Sequence, residues 1–304
     1  MTERAVIFQV AGEPLLGILH PAQHPPLDPV AAEPASRQRG VLIVVGGPQY
    51  RVGSHRQFLL LARYVAAHGI PVLRFDYRGM GDASGAMRDF DAINEDITAA
   101  IDAFQNELPE LQDIIVWGLC DGASAALSYA YRDPRVTGLV LLNPWIRTEQ
   151  GLAKAYLQQY YLKRIVSRDF WSGLIRGRLN PLASARSLLG MVGKVLWRSP
   201  AASTATPTHP GIDPSQPLPE RMASGWRRFK GSLLLILSGD DLTAAEFRDT
   251  AKQSPAWRGL LEQSRVCIQE LPEANHTFSK REWRDQVVQW TLEWVRAHPR
   301  SPSE

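Results

Sequence analysis

Apolar residues fall along this chain in short dense runs, set apart by glycines, prolines and amphipathic stretches. Val6–Val10 and Leu15–His20, joined by Ala11-Gly12-Glu13-Pro14, have the pattern of an N-terminal β-hairpin. Gly40–Val45, Pro71–Asp76, Ile114–Leu119, Val136–Trp145, Ser232–Ser238 and Val266–Leu271 are nearly continuous apolar runs. That is the signature of strands buried on both faces of a parallel sheet. Between them, helical periodicity predicts helices over His55–His68, Phe90–Asn106 and the residues after Cys120, and a closing helix over Lys280–Ala297. In the closing helix Trp283, Val287, Trp290, Leu292 and Trp294 are expected to supply the apolar face. Strands alternating with helices of this length imply an α/β fold with a doubly wound, mostly parallel sheet.

The alternation breaks once. From residue 147 to residue 229 the pattern is helical, with a Pro/Ser/Thr-rich stretch over Ser199–Pro219 and no clear strand. The expected organisation is therefore a core over residues 1–146, a helical cap insertion over 147–229, and the rest of the core over 230–304. Pro21–Arg39, rich in proline and alanine, is expected to be an exposed loop. At 304 residues and 44% hydrophobic content, the chain suits one large α/β domain carrying such an insertion.

Composition narrows the setting more than the chemistry. Two cysteines make no disulfide framework, so a reducing compartment and a cytoplasmic location are expected. Met1-Thr2-Glu3-Arg4 leads into alternating residues rather than an apolar run, and no stretch is long enough to span a bilayer. A net charge of +3 is too small to argue for nucleic acid. Its distribution is uneven, however. Between Gly151 and Ser199, Lys154, Lys163, Arg164, Arg168, Arg176, Arg178, Arg186, Lys194 and Arg198 meet only Asp169 as an acid. With tyrosines and tryptophans interleaved, such a segment can lie peripherally on an anionic membrane surface. The alternative is a cap whose apolar face covers a site while its charges face water.

The chemistry begins at Gly118-Leu119-Cys120-Asp121-Gly122, where a short strand meets a helix of small residues. The spacing is that of the G-x-S-x-G nucleophile elbow, with a thiol in place of the hydroxyl. The turn would lift Cys120 to the positive end of the helix, where a thiolate is favoured. A nucleophile of this kind needs a base, and the base needs an orienting acid; in elbow enzymes they follow in the order nucleophile, acid, His. Gly239-Asp240-Asp241-Leu242 follows one strand, and Asn275-His276-Thr277 follows the next and precedes the last helix. Asp241 is the preferred acid and Asp240 the alternate, with Thr243-x-x-Glu246 reading as a capping box for the next helix. The oxyanion would be held by the Asp121 N–H and by a donor from Gly46-Gly47-Pro48-Gln49, either Gly47 or Gln49 because Pro48 has no N–H. Arg51, His55 and Arg56, just beyond that loop, are candidates for an anionic substrate group. Arg78 reads as a loop brace and Cys267 as structural. No cofactor and no metal is expected: no His/Cys/Asp cluster has ligand spacing, and the glycine-rich turns lack the ending of a nucleotide-binding loop.

These motifs resemble the α/β-hydrolase fold from the N-terminal hairpin to the final helix. Gly-x-Cys-x-Gly, Phe75-Asp76-Tyr77-Arg78-Gly79-Met80-Gly81-Asp82, Asp241 and His276 carry the resemblance. Gly46-Gly47-Pro48-Gln49-Tyr50-Arg51-Val52-Gly53-Ser54-His55-Arg56, Leu119-Cys120-Asp121 and Ser238-Gly239-Asp240-Asp241-Leu242-Thr243 are more specifically similar to the exosortase A system-associated hydrolase 1 family. That resemblance implies a cytoplasmic bacterial enzyme linked to exopolysaccharide and protein-sorting loci. The thiol departs from most hydrolases but is compatible with dienelactone hydrolase-like chemistry. The expected activity is an esterase or thioesterase working on a small-molecule acyl substrate through an acyl-enzyme. The rivals are an acyltransferase with the same triad and a non-catalytic binding module on the same fold. Substrate and oligomeric state are left open by the sequence.

Overall fold

The structure, a computed structural model, describes residues 3–23, 38–47, 49–146, 212–213 and 215–297. The chain divides into one unit of residues 1–146 and 212–304 and a second of residues 147–211. The second unit, and with it the basic segment and the expectation of membrane contact, lies outside the described residues.

The first unit is built on an eight-stranded sheet: β1 (Arg4–Val10), β2 (Glu13–His20), β3 (Gln38–Val44), β4 (Val72–Phe75), β5 (Leu111–Leu119), β6 (Val136–Leu142), β7 (Ser232–Asp240) and β8 (Val266–Asn275). The order is β1-β2-β4-β3-β5-β6-β7-β8. The first two strands pair antiparallel, as do β2 and β4, and all later neighbours run parallel. This is the expected doubly wound, mostly parallel sheet. The central strands are buried along almost their whole length, which is why they read as unbroken apolar runs. At the edge, β8 alternates between half-buried and exposed residues and extends four residues beyond the apolar run.

Six α-helices are described: α1 (Gln57–Ala67), α2 (Asn94–Glu107), α3 (Asp121–Ala130), α4 (Leu218–Arg228), α5 (Leu242–Gln253) and α6 (Arg281–Ala297). Trp117 of β5 ties α1 and α6 to one face: it meets Phe58 edge-on at 5.4 Å, and its Nε1–H donates to Thr291 at 3.4 Å. On α6 the buried stripe is Val287, Val288, Thr291, Leu292 and Val295, with the tryptophans only flanking it. Helices α2 and α3 are joined by the Thr98–Tyr129 hydroxyl bond at 3.0 Å.

Helix α4 corrects the expected cap boundary. Residues 212–229 belong to the core unit, not to the insertion. The reason is packing. Gly225 lies close enough to α3 that a Cβ there would stand 3.0 Å from the Leu127 carbonyl oxygen, and Trp226 is fully buried. Trp226 and Phe247 of α5 both meet Trp257 edge-on, at 5.5 and 5.2 Å. The two buried indoles donate to the Leu260 and Pro219 carbonyls at 3.2 and 3.0 Å.

Removing the shared ring should therefore be costly. We predict that Trp257→Ala lowers the unfolding free energy by about 3–5 kcal/mol, measured by urea denaturation. Activity at low temperature should survive, because none of these rings meets a site residue.

Candidate active site

The parallel strands deliver their loops to one edge of the sheet, and the candidate residues gather there. Cys120 closes β5 and caps α3 with φ 60°, ψ −127°, a conformation strained for any residue with a side chain. Its N–H donates to Leu142 O at 2.9 Å; its carbonyl accepts from Ala123, Ser124 and Trp145 N–H at 3.1 to 3.2 Å. Glycines make this geometry possible. A Cβ on Gly118 would stand 2.5 Å from the Gly122 backbone, and one on Gly122 would stand 2.7 Å from Val44 O. A Cβ on Gly46 would meet Leu119 O at 2.3 Å and Asp121 Oδ1 at 2.4 Å. The loop after β3 is thus seated directly on the elbow.

Asp241 opens α5 as its N-cap, accepting from Thr243 and Ala244 N–H at 3.1 Å each. This replaces the capping box expected at Thr243. The same carboxylate meets His276 Nδ1 at 2.8 Å, whereas Asp240 is exposed and has no such contact. Burial opposes the Asp241 charge, but the His276 bond and charge and the two cap N–H groups outweigh it, so its carboxyl ionises below the usual range. Burial likewise works against an imidazolium at His276. The bond to Asp241, together with the bond and charge of Cys120 on the same ring, overcomes it and pushes His276 up to about 10. Cys120, His276 and Asp241 therefore form one contiguous set.

The oxyanion candidates stand differently. The Asp121 N–H heads α3, but the Asp121 carboxyl folds back over the same donors. It accepts from Gly122 N–H at 3.0 Å and is bonded by the Gly47 N–H and its own. Burial opposes its charge and outweighs these bonds, so its carboxyl ionises above the usual carboxylate range. The Gln49 N–H closes a tight turn onto Gly47 O at 2.7 Å, and its side-chain oxygen caps Ser54 N–H at 2.9 Å. Both Gly47 and Gln49 donors are thus engaged within the protein, and Pro48 lies outside the described residues.

Arg51 departs from the expected substrate contact. Its guanidinium is paired with the fully buried Asp76 and with Asp82 at 2.7 Å, and its N–H donates to Asp76 at 2.6 Å. It braces the glycine-rich loop after β4 rather than offering its charge to a ligand. Arg78 does the same for α2, bonding Asp96 at 2.8 to 3.2 Å and Glu95 at 2.8 Å. His55 and Arg56 are exposed, in successive left-handed conformations (φ 53° and 61°) at the start of α1. Among the described residues, no group of three or more His, Cys, Asp or Glu side chains is placed to hold a metal ion. None of the described helices is long and apolar enough to cross a membrane.

The sequence reading missed Asn143. It is fully buried at the end of β6 and bonded both to Ser238 and to the His276 carbonyl. Asn143-Pro144 after a buried strand was its only local signal.

Comparison with known proteins agrees with this fold. The family model for serine aminopeptidase, S33, matches residues 36–186. A solved esterase from Pyrococcus furiosus superposes with a TM-score of 0.61, covering 98% of this chain and 91% of its own at 15% identity. The chain has the α/β-hydrolase fold. The α/β hydrolase GrgF from a Penicillium species superposes with a TM-score of 0.60 over 98% of this chain and 99% of that one, at 16% identity. A dienelactone hydrolase from Anabaena variabilis gives 0.58 over 98% and 99%, also at 16% identity. In sequence, a polyketide transferase, grgF of a Penicillium species, is 33% identical over 117 residues, 37% of this chain. That match covers 39% of the relative's length.

Two tests follow for this site. Gly46→Ala should push the β3 loop off the elbow, costing about 1–3 kcal/mol by urea denaturation and roughly 100-fold in any Cys120-dependent reaction. The second concerns pH. Because folding raises His276 from 6.5 to about 10, its stabilising contribution is complete below pH 6.5 and is lost as pH climbs through 10. The stability gap between wild type and His276→Ala, measured by urea denaturation across pH, should be flat from 6.5 down to the ordinary carboxylate range, where protonation of Asp241 begins to reduce it, and should shrink from 6.5 to 10.

Proposed function

We propose that the chain is a cytoplasmic acyl hydrolase acting on an ester or thioester through a Cys120 acyl-enzyme, with His276 as proton carrier and Asp241 as its orienter. The observation that carries this reading is the single imidazole shared by Asp241 and Cys120, at the head of α3.

The chemistry balances with these groups alone. The Cys120 sulfur attacks the acyl carbon, and the carbonyl oxygen gains the charge. As the tetrahedral species collapses, His276 gives its proton to the departing alkoxide or thiolate, leaving a thioester. Water then attacks this thioester, with His276 accepting its proton. The second tetrahedral species expels the Cys120 thiolate, and the acid product departs. The charge balance assists the first transfer. Part of what holds the proton on His276 is the charge on Cys120, and that charge disappears when the sulfur becomes acylated. The imidazolium is then more acidic, and afterwards available as a base. Asp241, fixed by α5 N–H groups, keeps the ring in place throughout.

For the oxyanion, the Asp121 N–H is the first donor and the Gly47 N–H the second. The Asp121 carboxyl has to release both its own N–H and the Gly47 N–H for the hole to be completed. The resemblance of the β3 loop to exosortase A system-associated hydrolases supports a bacterial exopolysaccharide setting for this reading. An acyltransferase is the second reading, favoured by the identity to a polyketide transferase: an alcohol or amine would take the place of water at the thioester.

Cys120→Ala should lower turnover of short acyl esters and thioesters by about 10⁴-fold or more, and Asp241→Asn by roughly 10³-fold, without loss of the fold. Unchanged turnover in Cys120→Ala would refute the assignment. Adding polyol or glycan acceptors and looking for acylated product by mass spectrometry separates transfer from hydrolysis.

A further inference from the structure

We propose that Asn143 is a positioning residue that sets the His276 imidazole relative to Cys120; the inference rests on His276 being the proton carrier. Asn143 is 0% exposed and adopts φ 42°, a left-handed conformation that asparagine tolerates better than most side chains. Every polar atom of its amide is used. Nδ2 donates to Ser238 Oγ at 2.8 Å and to His276 O at 3.0 Å, while Oδ1 accepts from Ser238 N–H at 2.9 Å.

What marks it out is where its partners lie. Ser238 sits in β7 three residues before Asp241, and His276 follows the last residue of β8. On the other side, Leu142 O accepts from Cys120 N–H at 2.9 Å, and Trp145 N–H donates to Cys120 O at 3.2 Å. Residues 142–145 are therefore bonded to the main chain of the nucleophile, to the strand that ends at the acid, and to the main chain of the base. The Asn143 main-chain N–H also reaches β7, at Ile236 O (3.1 Å), and its side-chain amide carries the connection on to His276.

Beyond it, the His276 loop closes on itself. Asn275 and Ser279 bond reciprocally at 2.7 and 3.0 Å, and Phe278 N–H returns to Asn275 O at 3.0 Å. With these bonds holding its shape, the placement of the loop depends on what anchors it to the sheet. The Asn143 Nδ2 bond to His276 O is such an anchor, and it acts on the residue whose ring carries the proton. An aspartate of the same shape keeps the acceptor for Ser238 N–H but opposes the His276 carbonyl with a carboxyl oxygen. A glycine relieves the left-handed backbone and removes the amide altogether.

The test uses Asn143→Asp and Asn143→Gly, so that one variant with a cooperative thermal transition suffices, with His276→Ala as the reference. Steady-state turnover of a short acyl thioester and the pH profile of Cys120 alkylation by iodoacetamide are measured at a temperature where each variant is folded. The expected result is a kcat lower by about 10- to 100-fold with KM changed less than about two-fold, and an alkylation profile displaced from wild type towards that of His276→Ala. If the folded variants lose melting temperature but keep wild-type kcat and alkylation profile, Asn143 is a structural brace only and the proposal is overturned. If His276→Ala itself alkylates as wild type does, the proton-carrier reading fails and takes this proposal with it. A shifted His276→Ala profile beside an unshifted Asn143 profile refutes the role of Asn143 alone.

Discussion

The site depends on how closely three backbone segments approach one another at the head of α3. Cys120 can hold φ 60° because Gly118 and Gly122 let strand and helix pass with no Cβ between them. Gly46 lets the β3 loop rest on the same turn. Strain of this kind costs about 1–3 kcal/mol and persists only where the surroundings over-determine it. Here the Cys120 N–H and carbonyl are both fastened, to Leu142 on one side and to α3 and Trp145 on the other. The conformation that presents the sulfur is thus held by the sheet core, whose central strands are buried on both faces.

Charge then completes what packing starts. Asp241 is a helix cap and a histidine partner at once, so the free energy that stabilises α5 also keeps this carboxylate ionised and oriented. His276 sits between two groups that favour its proton. Elsewhere the loops around the site are braced by carboxylate–guanidinium pairs, Asp76 with Arg51 and Asp96 with Arg78. Buried pairs of this sort add little net stability, but losing one partner is severe because the other charge is left stranded.

The sheet was legible because parallel strands buried on both faces write themselves as unbroken apolar runs. The order Cys120, Asp241, His276 was legible because each follows such a run. What escaped the sequence depends on contacts between distant residues. Arg51 reads as a free cation beside a loop, and nothing nearby shows that Asp76, buried 25 residues later, accepts it. Helix α4 follows a long stretch with no strand pattern, so it reads as part of the insertion until Trp226 is seen against Trp257. Asn143 is one polar residue after an apolar strand; its partners are 95 and 133 residues away. Local pattern reports burial and turn chemistry, and these three cases are decided by tertiary partners instead.

The central claim is that the Cys120 sulfur carries the acyl group. Intact-protein and peptide mass spectrometry of enzyme acid-quenched during turnover of a short acyl thioester measures this directly. The account predicts one acyl mass addition, located on the peptide containing Cys120, removed by neutral hydroxylamine and absent in Cys120→Ser quenched at the same time point. Turnover at an undiminished rate in that variant, or an acyl group located on another side chain, would contradict it.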